Sequence, residues 1–282
     1  LIPQAELDRV AACFVQPISV EDVAGSVWLP PADAPVAFLK WLERNTVAHR
    51  VKGYRAVTLS LKRVGQAPGD TTDAQMDAAA DLADRFSCGE VRVRYDQNLL
   101  LPWVRESDLL ALWEQAKAAS FAVPNIGLLS DMIACPGGDF CALANARSIP
   151  IANALIERYQ DLDELYDIGD INLHISGCIN SCGHHHSGHI GILGVDKDGS
   201  EWYQVTLGGA DGSHGSPNAT PGKVIGPSFA SDEVADVVEA LIETYRSIRT
   251  GKETFLETVR RVGIDPFKAA GNAVRHTTAK AA

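Results

Sequence analysis

The sequence predicts an α+β protein in two parts, and two observations carry that prediction. In roughly the first 120 residues, stretches with alternating apolar residues are interleaved with stretches whose apolar residues recur every three or four positions, a pattern typical of strands and helices in turn. Farther along the chain glycine becomes dense, and four cysteines stand in two close pairs. We therefore expect a compact α+β unit followed by a mixed α/β unit that holds a site built from cysteines.

Four elements are expected in the first unit. The spacing of Thr72 and Gln75 is that of a capping box, so a helix should begin at Asp73 and end before Gly89. Ser107 is the expected cap of the second helix. In chain order the elements are a strand at 54–61, the helix from 73, a strand at 91–95 and a helix at 107–119.

The second unit should begin near 120–127, where Pro124 and Gly127 mark a boundary. Pro150 is expected to disturb its first helix. The predicted elements are helices at 142–159, at 231–245 and in a short segment ending at Gly263, strands at 171–176, 189–195 and 201–209, and a glycine-rich loop at 208–226.

Composition limits the class of protein. Of 282 residues, 46 % are hydrophobic and 22 % are charged, which predicts a folded chain with a sizeable core. The net charge of −11 disfavours nucleic acid and anionic membrane as partners. No apolar run could span a bilayer and no secretory segment opens the chain, so we expect a cytoplasmic protein. Because Leu1 is not Met, we expect a processed or incomplete chain.

The cysteines favour metal chemistry. Six are too few for a disulfide scaffold, and clustered cysteines without a secretion signal more often bind metal or do redox work. Cys135 and Cys141 are separated by five residues, and Cys178 and Cys182 by three. Cys13 and Cys88 stand apart and are expected to be buried, inert thiols.

Thiolate ligands suit zinc or iron–sulfur. Zinc knuckles usually space each pair by two to four residues, so the wider first pair favours a 4Fe–4S cluster. Glycines lie inside the first pair and flank the second, where they let the backbone approach and donate N–H groups to sulfur: Gly137, Gly138, Gly177 and Gly183. Two coincidental pairs of free cysteines remain an alternative.

The motifs "CPGGDFC" (135–141) and "GCINSCG" (177–183) resemble the paired cysteine signature of the sulfite and nitrite reductase haemoproteins, which carry siroheme coupled to a 4Fe–4S cluster. Residues 69–104 resemble the ferredoxin-like half-domain that precedes the cluster domain in that family, and "KVIGPSF" (223–229) resembles its C-terminal end. The resemblance implies a lead-in segment at 1–50, a ferredoxin-like half-domain at 51–122 and a mixed α/β siroheme and 4Fe–4S domain at 123–282.

The same resemblance assigns the site residues. It implies that Cys135, Cys141, Cys178 and Cys182 hold the cluster and that the sulfur of Cys182 also bridges to the siroheme iron. Asn180, inside the second pair, is expected to assist in binding the cofactors. His184, His185 and His186 follow Cys182; either one of them bonds cluster sulfur or a siroheme carboxylate or relays protons, or they are polar loop residues.

The activity implied is the six-electron reduction of sulfite to sulfide, with reduction of nitrite to ammonia by the same chemistry as the alternative. Ferredoxin or a flavoprotein would donate the electrons. The acidic chain resembles only the C-terminal half of the family's enzymes, so we expect an N-terminal half, in the same chain or another, to bring most of the basic residues for siroheme and anion. A non-catalytic iron–sulfur electron-transfer module and a zinc-stabilised binding domain are alternatives of other classes.

Overall fold

The buried apolar side chains fall into two clusters, and each cluster lies against its own sheet. The computed structural model describes residues 2–13, 28–212, 216 and 218–275. Its helices are α1 (Gln4–Ala12), α2 (Val36–Asn45), α3 (Asp73–Phe86), α4 (Leu109–Ala118), α5 (Ile149–Arg158), α6 (Leu162–Ile168), α7 (Val234–Ile248), α8 (Phe255–Val262) and α9 (Asp265–Ala273).

The strands of the first sheet are β1 (Thr46–Ala48), β2 (Tyr54–Leu59), β3 (Arg92–Val93) and β4 (Leu99–Arg105). Those of the second region are β5 (Ile133–Ala134), β6 (Leu173–Ser176), β7 (Ile190–Lys197), β8 (Ser200–Leu207), β9 (Ala210–Asp211), β10 (Ala219–Thr220), β11 (Lys223–Val224) and β12 (Phe229–Ala230). In the described ranges, no helix combines the length and the apolar character that crossing a membrane requires.

The first unit is an antiparallel sheet in the order β1-β2-β4-β3, packed on α2, α3 and α4. Its capping box is confirmed: Thr72 Oγ1 accepts from the Gln75 main-chain N–H at 3.2 Å, and the Thr72 N–H donates to Gln75 Oε1 at 3.1 Å. These bonds satisfy N–H groups that a helix start leaves without partners. Helix α3 therefore begins where the sequence predicts.

Helix α2 and strand β1 lie in the segment predicted as a lead-in, and they contribute to the first core. Phe38 and Trp41 are fully buried, with ring centroids 5.9 Å apart, and Phe38 also meets Trp113 edge-on at 5.7 Å. Large aromatic side chains bury more apolar surface than most residues. The packed first unit thus draws on residues from α2 onward.

Two predictions in this unit were wrong in detail. Residues 107 and 108 belong to a 3₁₀ turn, Glu106–Asp108, and Ser107 Oγ donates to Asp108 Oδ1 at 3.1 Å instead of capping α4. The strand expected at 91–95 is reduced to β3, because residues 94–98 turn back toward β4. This turn contacts the second unit, because the Gln97 side chain bonds the main chain of Ala134.

The second unit centres on a six-stranded sheet in the order β11-β8-β7-β6-β5, with β12 also on β8. Strands β5, β6 and β7 run parallel, whereas β7 and β8 are antiparallel. Helix α7 buries one apolar face, including Val234, Val237 and Leu241, against this core. The expected mixed α/β unit is therefore present, and its sheet contains both parallel and antiparallel pairs.

The helix predicted at 142–159 is shorter, because α5 begins at Ile149. Pro150 stands in its first turn, where a missing N–H breaks no intrahelical bond, so it starts the helix rather than disturbing it. The preceding residues 142–148 stay in the cysteine loop. Helix α8 ends before Gly263 as predicted, but α9 follows and buries Phe267 completely.

Candidate metal centre

Two adjacent parallel strands deliver one cysteine of each pair. Ala134 of β5 pairs with Ile175 of β6, and the Cys135 N–H continues the ladder by donating to the Ile175 carbonyl at 3.1 Å. Cys178 follows β6 by two residues. Because parallel strands end at the same sheet edge, Cys135 and Cys178 emerge together.

Hydrogen bonds join the two cysteine loops. The Gly177 N–H donates to Cys135 Sγ at 3.1 Å, while the N–H groups of Asn145 and Ala146 donate to the Gly177 carbonyl at 2.9 and 3.0 Å. Ser148 Oγ lies 3.5 Å from Cys135 Sγ. Main-chain donors aimed at sulfur stabilise a thiolate, the form that binds metal.

Glycine is required where these loops meet. A Cβ on Gly177 would lie 2.7 Å from the Cα of Gly137 and 2.6 Å from the Ala146 carbonyl oxygen. Gly137 has φ +60°, a conformation that other residues rarely adopt, and a Cβ there would lie 2.4 Å from the Ser148 nitrogen. The glycines noted in the sequence therefore permit a close backbone approach beside the thiols.

The second cysteine of each pair stands in a tight turn. The Cys141 N–H donates to the Gly137 carbonyl at 2.9 Å. In the other loop the Ser181 N–H donates to the Cys178 carbonyl at 3.1 Å, and Ser181 is itself left-handed, with φ +58°. Cys178 is buried and Cys182 is exposed. A burial gradient thus runs along the second pair toward the surface.

All six thiols are free of disulfides. In the part of the chain that the structure describes, no three His, Cys, Asp or Glu side chains surround a point where one metal ion could be held. A cluster with four separate corners does not need its ligands to converge on one atom. Soft thiol donors and a thiol-directed N–H fit an iron–sulfur cluster.

The prediction that Cys13 and Cys88 are buried was wrong. Both side chains are exposed. Cys13 follows α1, where Sγ donates to the Arg9 carbonyl at 3.4 Å, and Cys88 lies just after α3 with φ +56°. Each thus follows the end of a helix and is far from the cysteine loops in the sequence. Substitutions of these two thiols can therefore serve as controls for substitutions of the four paired ones.

Large apolar side chains in or next to both cysteine loops are exposed. Phe140 is 80 % exposed, Leu143 is 72 % exposed and Ile179 is 81 % exposed. Two of them directly adjoin a cysteine, Cys141 and Cys178. Exposed apolar residues gathered near one site commonly mark a surface that binds a ligand or another protein segment.

The three consecutive histidines have different environments. His185 is buried, its Nδ1 lies 3.1 Å from Ser181 Oγ, and its Nε2 is buried without a hydrogen-bond partner. Burial, together with nearby His186 and His174, lowers the pKa of His185 to about 4. A neutral imidazole with an unpaired nitrogen next to the second cysteine pair fits a site that is completed by a bound group.

His184 and His186 are exposed, as is Asn180. His184 has φ +54°, and its carbonyl accepts a hydrogen bond from His174 Nδ1 at 2.9 Å. His174 and His184 line a cavity of about 410 Å³ between the two units. Tyr95 of the first unit also lines it. Burial lowers the pKa of His174, so this histidine is neutral near pH 7.

One basic residue near the loops is already paired. The Arg147 main-chain N–H and side-chain Nε both donate to Glu201 Oε1, at 3.0 and 3.2 Å. Because that ion pair uses the guanidinium, Arg147 contributes little free positive charge for an anionic cofactor.

Sequence reasoning missed residues of the first unit that meet the cysteine region. Gln97 bonds the main chain of Ala134, immediately before Cys135. Lys62, fully buried, lies 3.9 Å from buried Asp131. A lone glutamine in a turn and a lysine 69 positions from its partner leave no sequence pattern, so only tertiary structure reveals these contacts.

Comparison with family models divides the chain where the two sheets do. Residues 49–119 match the nitrite and sulfite reductase ferredoxin-like half domain, and residues 129–275 match the nitrite and sulphite reductase 4Fe-4S domain. The second match alone spans more than half of the 282 residues. All four paired cysteines lie inside it.

Some relatives of the chain are named nitrite reductases and others are named sulfite reductases. The assimilatory ferredoxin-dependent nitrite reductase of Haloferax mediterranei is 29 % identical over 71 % of this chain and 34 % of its own length. A sulfite reductase [ferredoxin] of Mycolicibacterium paratuberculosis is 27 % identical over 79 % of this chain and 42 % of its own length. The chain therefore spans well under half the length of these curated relatives.

Solved structures share the fold. The NirA protein of Mycobacterium tuberculosis is 26 % identical with a TM-score of 0.62, over 79 % of this chain and 41 % of the other. Dissimilatory sulfite reductase I gives a TM-score of 0.63 at 15 % identity, over 78 % of this chain and 69 % of the other, which supports the fold alone. With both family models matched in order and this fold shared, the chain belongs to the nitrite and sulfite reductase family.

Proposed function

We propose that this chain is the cluster-bearing C-terminal half of a siroheme-dependent assimilatory reductase that reduces sulfite to sulfide. The observation that carries the proposal is the joined pair of cysteine loops, in which the Gly177 N–H is aimed at Cys135 Sγ at 3.1 Å. In this assignment Cys135, Cys141, Cys178 and Cys182 would hold a 4Fe–4S cluster, and Cys182 would also take part in holding the siroheme. Cys182 is exposed, which supports that double role.

When bound, a siroheme coupled to a 4Fe–4S cluster supplies the electron storage and the open iron position that a six-electron reduction of a small oxyanion needs. The protein residues have other tasks. The four thiolates would bind and orient the cluster, and the Gly177 N–H would tune the electron density on the Cys135 sulfur. Exposed His184 and His186, close in sequence to Cys182, are suited to supply protons at the protein surface.

We assign the binding of siroheme carboxylates and of the substrate anion largely to residues outside this chain. The net charge of −11 and the pairing of Arg147 with Glu201 support this division, because a polycarboxylate and an oxyanion need concentrated positive charge. The exposed apolar side chains beside the cysteines, Phe140, Leu143 and Ile179, are suited to be covered by those residues or by siroheme. Asn180 lies between Cys178 and Cys182 in the second cysteine loop, and we propose that it assists in cofactor binding.

Nitrite is the second candidate substrate, reduced to ammonia with the same number of electrons. What favours it is the naming of relatives: nitrite and sulfite reductases match this chain at nearly the same identity, 29 % and 27 %. We propose a ferredoxin as electron donor, since the names of both relatives include it.

The test is a comparison of Cys182→Ser with Cys88→Ser in the complete reductase. Both variants would be assayed anaerobically for sulfide formed from sulfite and ammonia formed from nitrite, with a reduced viologen as donor. We expect Cys182→Ser to lose both activities and the absorption of the coupled centre, while Cys88→Ser, which removes an exposed thiol in the other unit, retains both. Full activity in Cys182→Ser would overturn the assignment of the bridging residue, and a wild-type enzyme that reduces neither anion would overturn the proposed function. The ratio of the two specific activities decides between sulfite and nitrite.

A further inference from the structure

The turn 94–98 of the first unit reaches the open edge of the second sheet. Gln97 Nε2 donates to the Ala134 carbonyl at 2.7 Å, and the Ala134 N–H donates to Gln97 Oε1 at 2.9 Å. One side-chain amide therefore pairs with both main-chain polar groups of a single residue, as a neighbouring strand would.

The position of Ala134 explains why it needs such a partner. Strand β5 is the last strand of its sheet. Along a strand, the N–H and C=O groups of successive residues point to opposite sides. The N–H of the next residue, Cys135, points toward β6 and donates to the Ile175 carbonyl at 3.1 Å. The polar groups of Ala134 therefore face the open edge, where an unpaired edge strand is a liability. Gln97 completes the pairing there.

Gln97 is itself held firmly. Its backbone is left-handed, with φ +59°, and its carbonyl accepts from Lys62 Nζ at 3.0 Å. Lys62 Nζ also donates to the Asp96 carbonyl at 2.6 Å. Gly69 packs closely against the Gln97 side chain, because a Cβ on Gly69 would lie 2.9 Å from Gln97 Cβ. A fixed amide can set the position of the strand that it pairs with.

A second hydrogen bond links the turn 94–98 to the segment that leads into the first cysteine loop. Asn98 Nδ2 donates to Asp131 Oδ1 at 2.9 Å, while Asn98 Oδ1 accepts from the Leu61 N–H at 3.0 Å. The other Asp131 oxygen accepts from the Gly127 N–H at 3.0 Å. The segment that leads into the first cysteine loop is thus anchored at residues 131 and 134 by one turn of the first unit.

We propose that Gln97 is a positioning residue for Cys135 and, through it, for the environment of the cluster. This inference rests on the proposed function in assigning Cys135 to the cluster. Cys135 is one residue beyond the doubly bonded Ala134, and its sulfur accepts from the Gly177 N–H at 3.1 Å. A shift of the strand at Ala134 changes that contact, and hydrogen bonds to ligand sulfur help set the reduction potential of an iron–sulfur cluster. Gln97 touches no reacting atom and acts only through the backbone.

The test uses three variants of the full chain. Gln97→Met keeps the length and unbranched shape of the side chain but removes both hydrogen bonds. Gln97→Glu keeps an acceptor for the Ala134 N–H and loses the donor to the Ala134 carbonyl. Gln115→Ala is the matched control, because Gln115 is an amide of the same unit that bonds Arg85 on the surface.

Two readouts separate the contact from its consequence. In the cluster-free chain, hydrogen exchange at the Ala134 amide should be about tenfold faster in Gln97→Met than in wild type, since that amide loses its partner, and intermediate in Gln97→Glu. In the cluster-loaded chain, the uncharged variant Gln97→Met should shift the cluster midpoint potential and its EPR g values. Gln115→Ala should change neither readout.

Each other outcome overturns the inference at an identifiable step. Unchanged exchange at Ala134 would mean that the amide pairing is absent. Faster exchange with an unaltered potential and EPR signature would mean that Gln97 only covers the strand edge. A wild-type chain that takes up no iron–sulfur cluster would remove the proposed function and, with it, the positioning role, while the exchange data still report on the pairing. Thermal unfolding of each variant excludes a general loss of structure as the cause.

Discussion

Gly183 lies directly against the carbonyl of Ile175: a Cβ on Gly183 would stand 1.9 Å from that oxygen. The Gly183 N–H also donates to Ser176 Oγ at 3.1 Å. The loop that carries Cys182 therefore folds back onto the strand it has just left. This close approach holds the loop that carries Cys182 against strand β6.

Replacing Gly183 by alanine should displace the second cysteine loop. Because the obstructing atom is backbone, the loop must move, and overpacking of this kind costs about 1–3 kcal/mol. We expect Gly183→Ala to lose most of its iron and acid-labile sulfide after anaerobic reconstitution, measured per chain. Gly271→Ala is the control, because a Cβ there meets Ile225 Cδ1 at an ordinary 3.4 Å and alanine suits a helix better than glycine. A normal cluster in Gly183→Ala would contradict the close approach.

The four paired cysteines should respond differently from the two isolated ones. We expect Cys135→Ser and Cys141→Ser each to reduce bound iron and labile sulfide severely, because serine oxygen is a harder donor than thiolate. Cys13→Ser and Cys88→Ser should leave both contents unchanged, since these exposed thiols belong to other parts of the chain. Chemical analysis of iron and sulfide in all four proteins provides the measurement. Equal loss in the two groups would show that the paired cysteines have no special role.

The buried pair Lys62 and Asp131 should matter for stability. Burial raises the pKa of Asp131 to about 6 and lowers that of Lys62, so each charge depends on the other. Lys62→Met leaves a buried carboxylate without its counter-ion and should lower the free energy of unfolding in urea at pH 7 by about 3 kcal/mol. The double variant Lys62→Met/Asp131→Asn should recover a large part of that loss.

The control for this pair is the exposed ion pair of Lys40 and Asp163, 2.8 Å apart. Lys40→Met should change the free energy of unfolding by no more than about 1 kcal/mol, because solvent screens exposed pairs. If Lys62→Met lowered the free energy of unfolding no more than Lys40→Met does, the charge of Lys62 would not contribute to the stability of the fold.

His185 should make stability depend on pH. The unfolded histidine binds a proton near pH 6.5, whereas the folded one does so only near pH 4, so its contribution to the free energy of unfolding is complete above pH 6.5 and is lost as pH falls to about 4. The loss amounts to at most about 3 kcal/mol. Asp131 acts in the opposite direction: because its pKa is raised in the folded chain, its contribution to the free energy of unfolding increases as pH falls from about 6 to 3.8. Comparison with a His185 variant isolates the histidine from that background.

His185→Asn is the suitable variant, because an amide on the shorter side chain can occupy the place of Nδ1 beside Ser181 Oγ. Urea unfolding of the cluster-free chain at several pH values between 7 and 4 provides the data. The stability of wild type should fall more steeply on acidification than that of His185→Asn. Parallel curves would show that His185 is protonated equally in the folded and unfolded chains.

The parts of this fold that sequence predicts best are those governed by local rules. The capping box of Thr72 and Gln75 and the strand that ends before Cys178 depend on neighbouring residues, and both are present. Pro150 was misjudged because a proline in the first turn of a helix and one in its interior look the same until the start of the helix is known. Local pattern therefore predicts the existence of elements better than their ends.

The contacts that sequence could not predict are those between the units. Gln97 pairs with Ala134, 37 positions away, through a turn that carries no periodic pattern. Lys62 reads as a surface residue because lysine is rarely buried, yet it is fully buried beside Asp131. The two cysteine pairs are visible in the sequence itself, whereas only the packed structure reveals what positions them.

Iron, acid-labile sulfide and the absorption spectrum, measured together on the anaerobically purified full chain from cells that make siroheme, test the central assignment most directly. We expect broad iron–sulfur absorption with about four irons and four sulfides per chain. Additional siroheme bands with one further iron would show that this half also assembles the coupled centre. A colourless chain that contains zinc and no sulfide would contradict the assignment of the four cysteines.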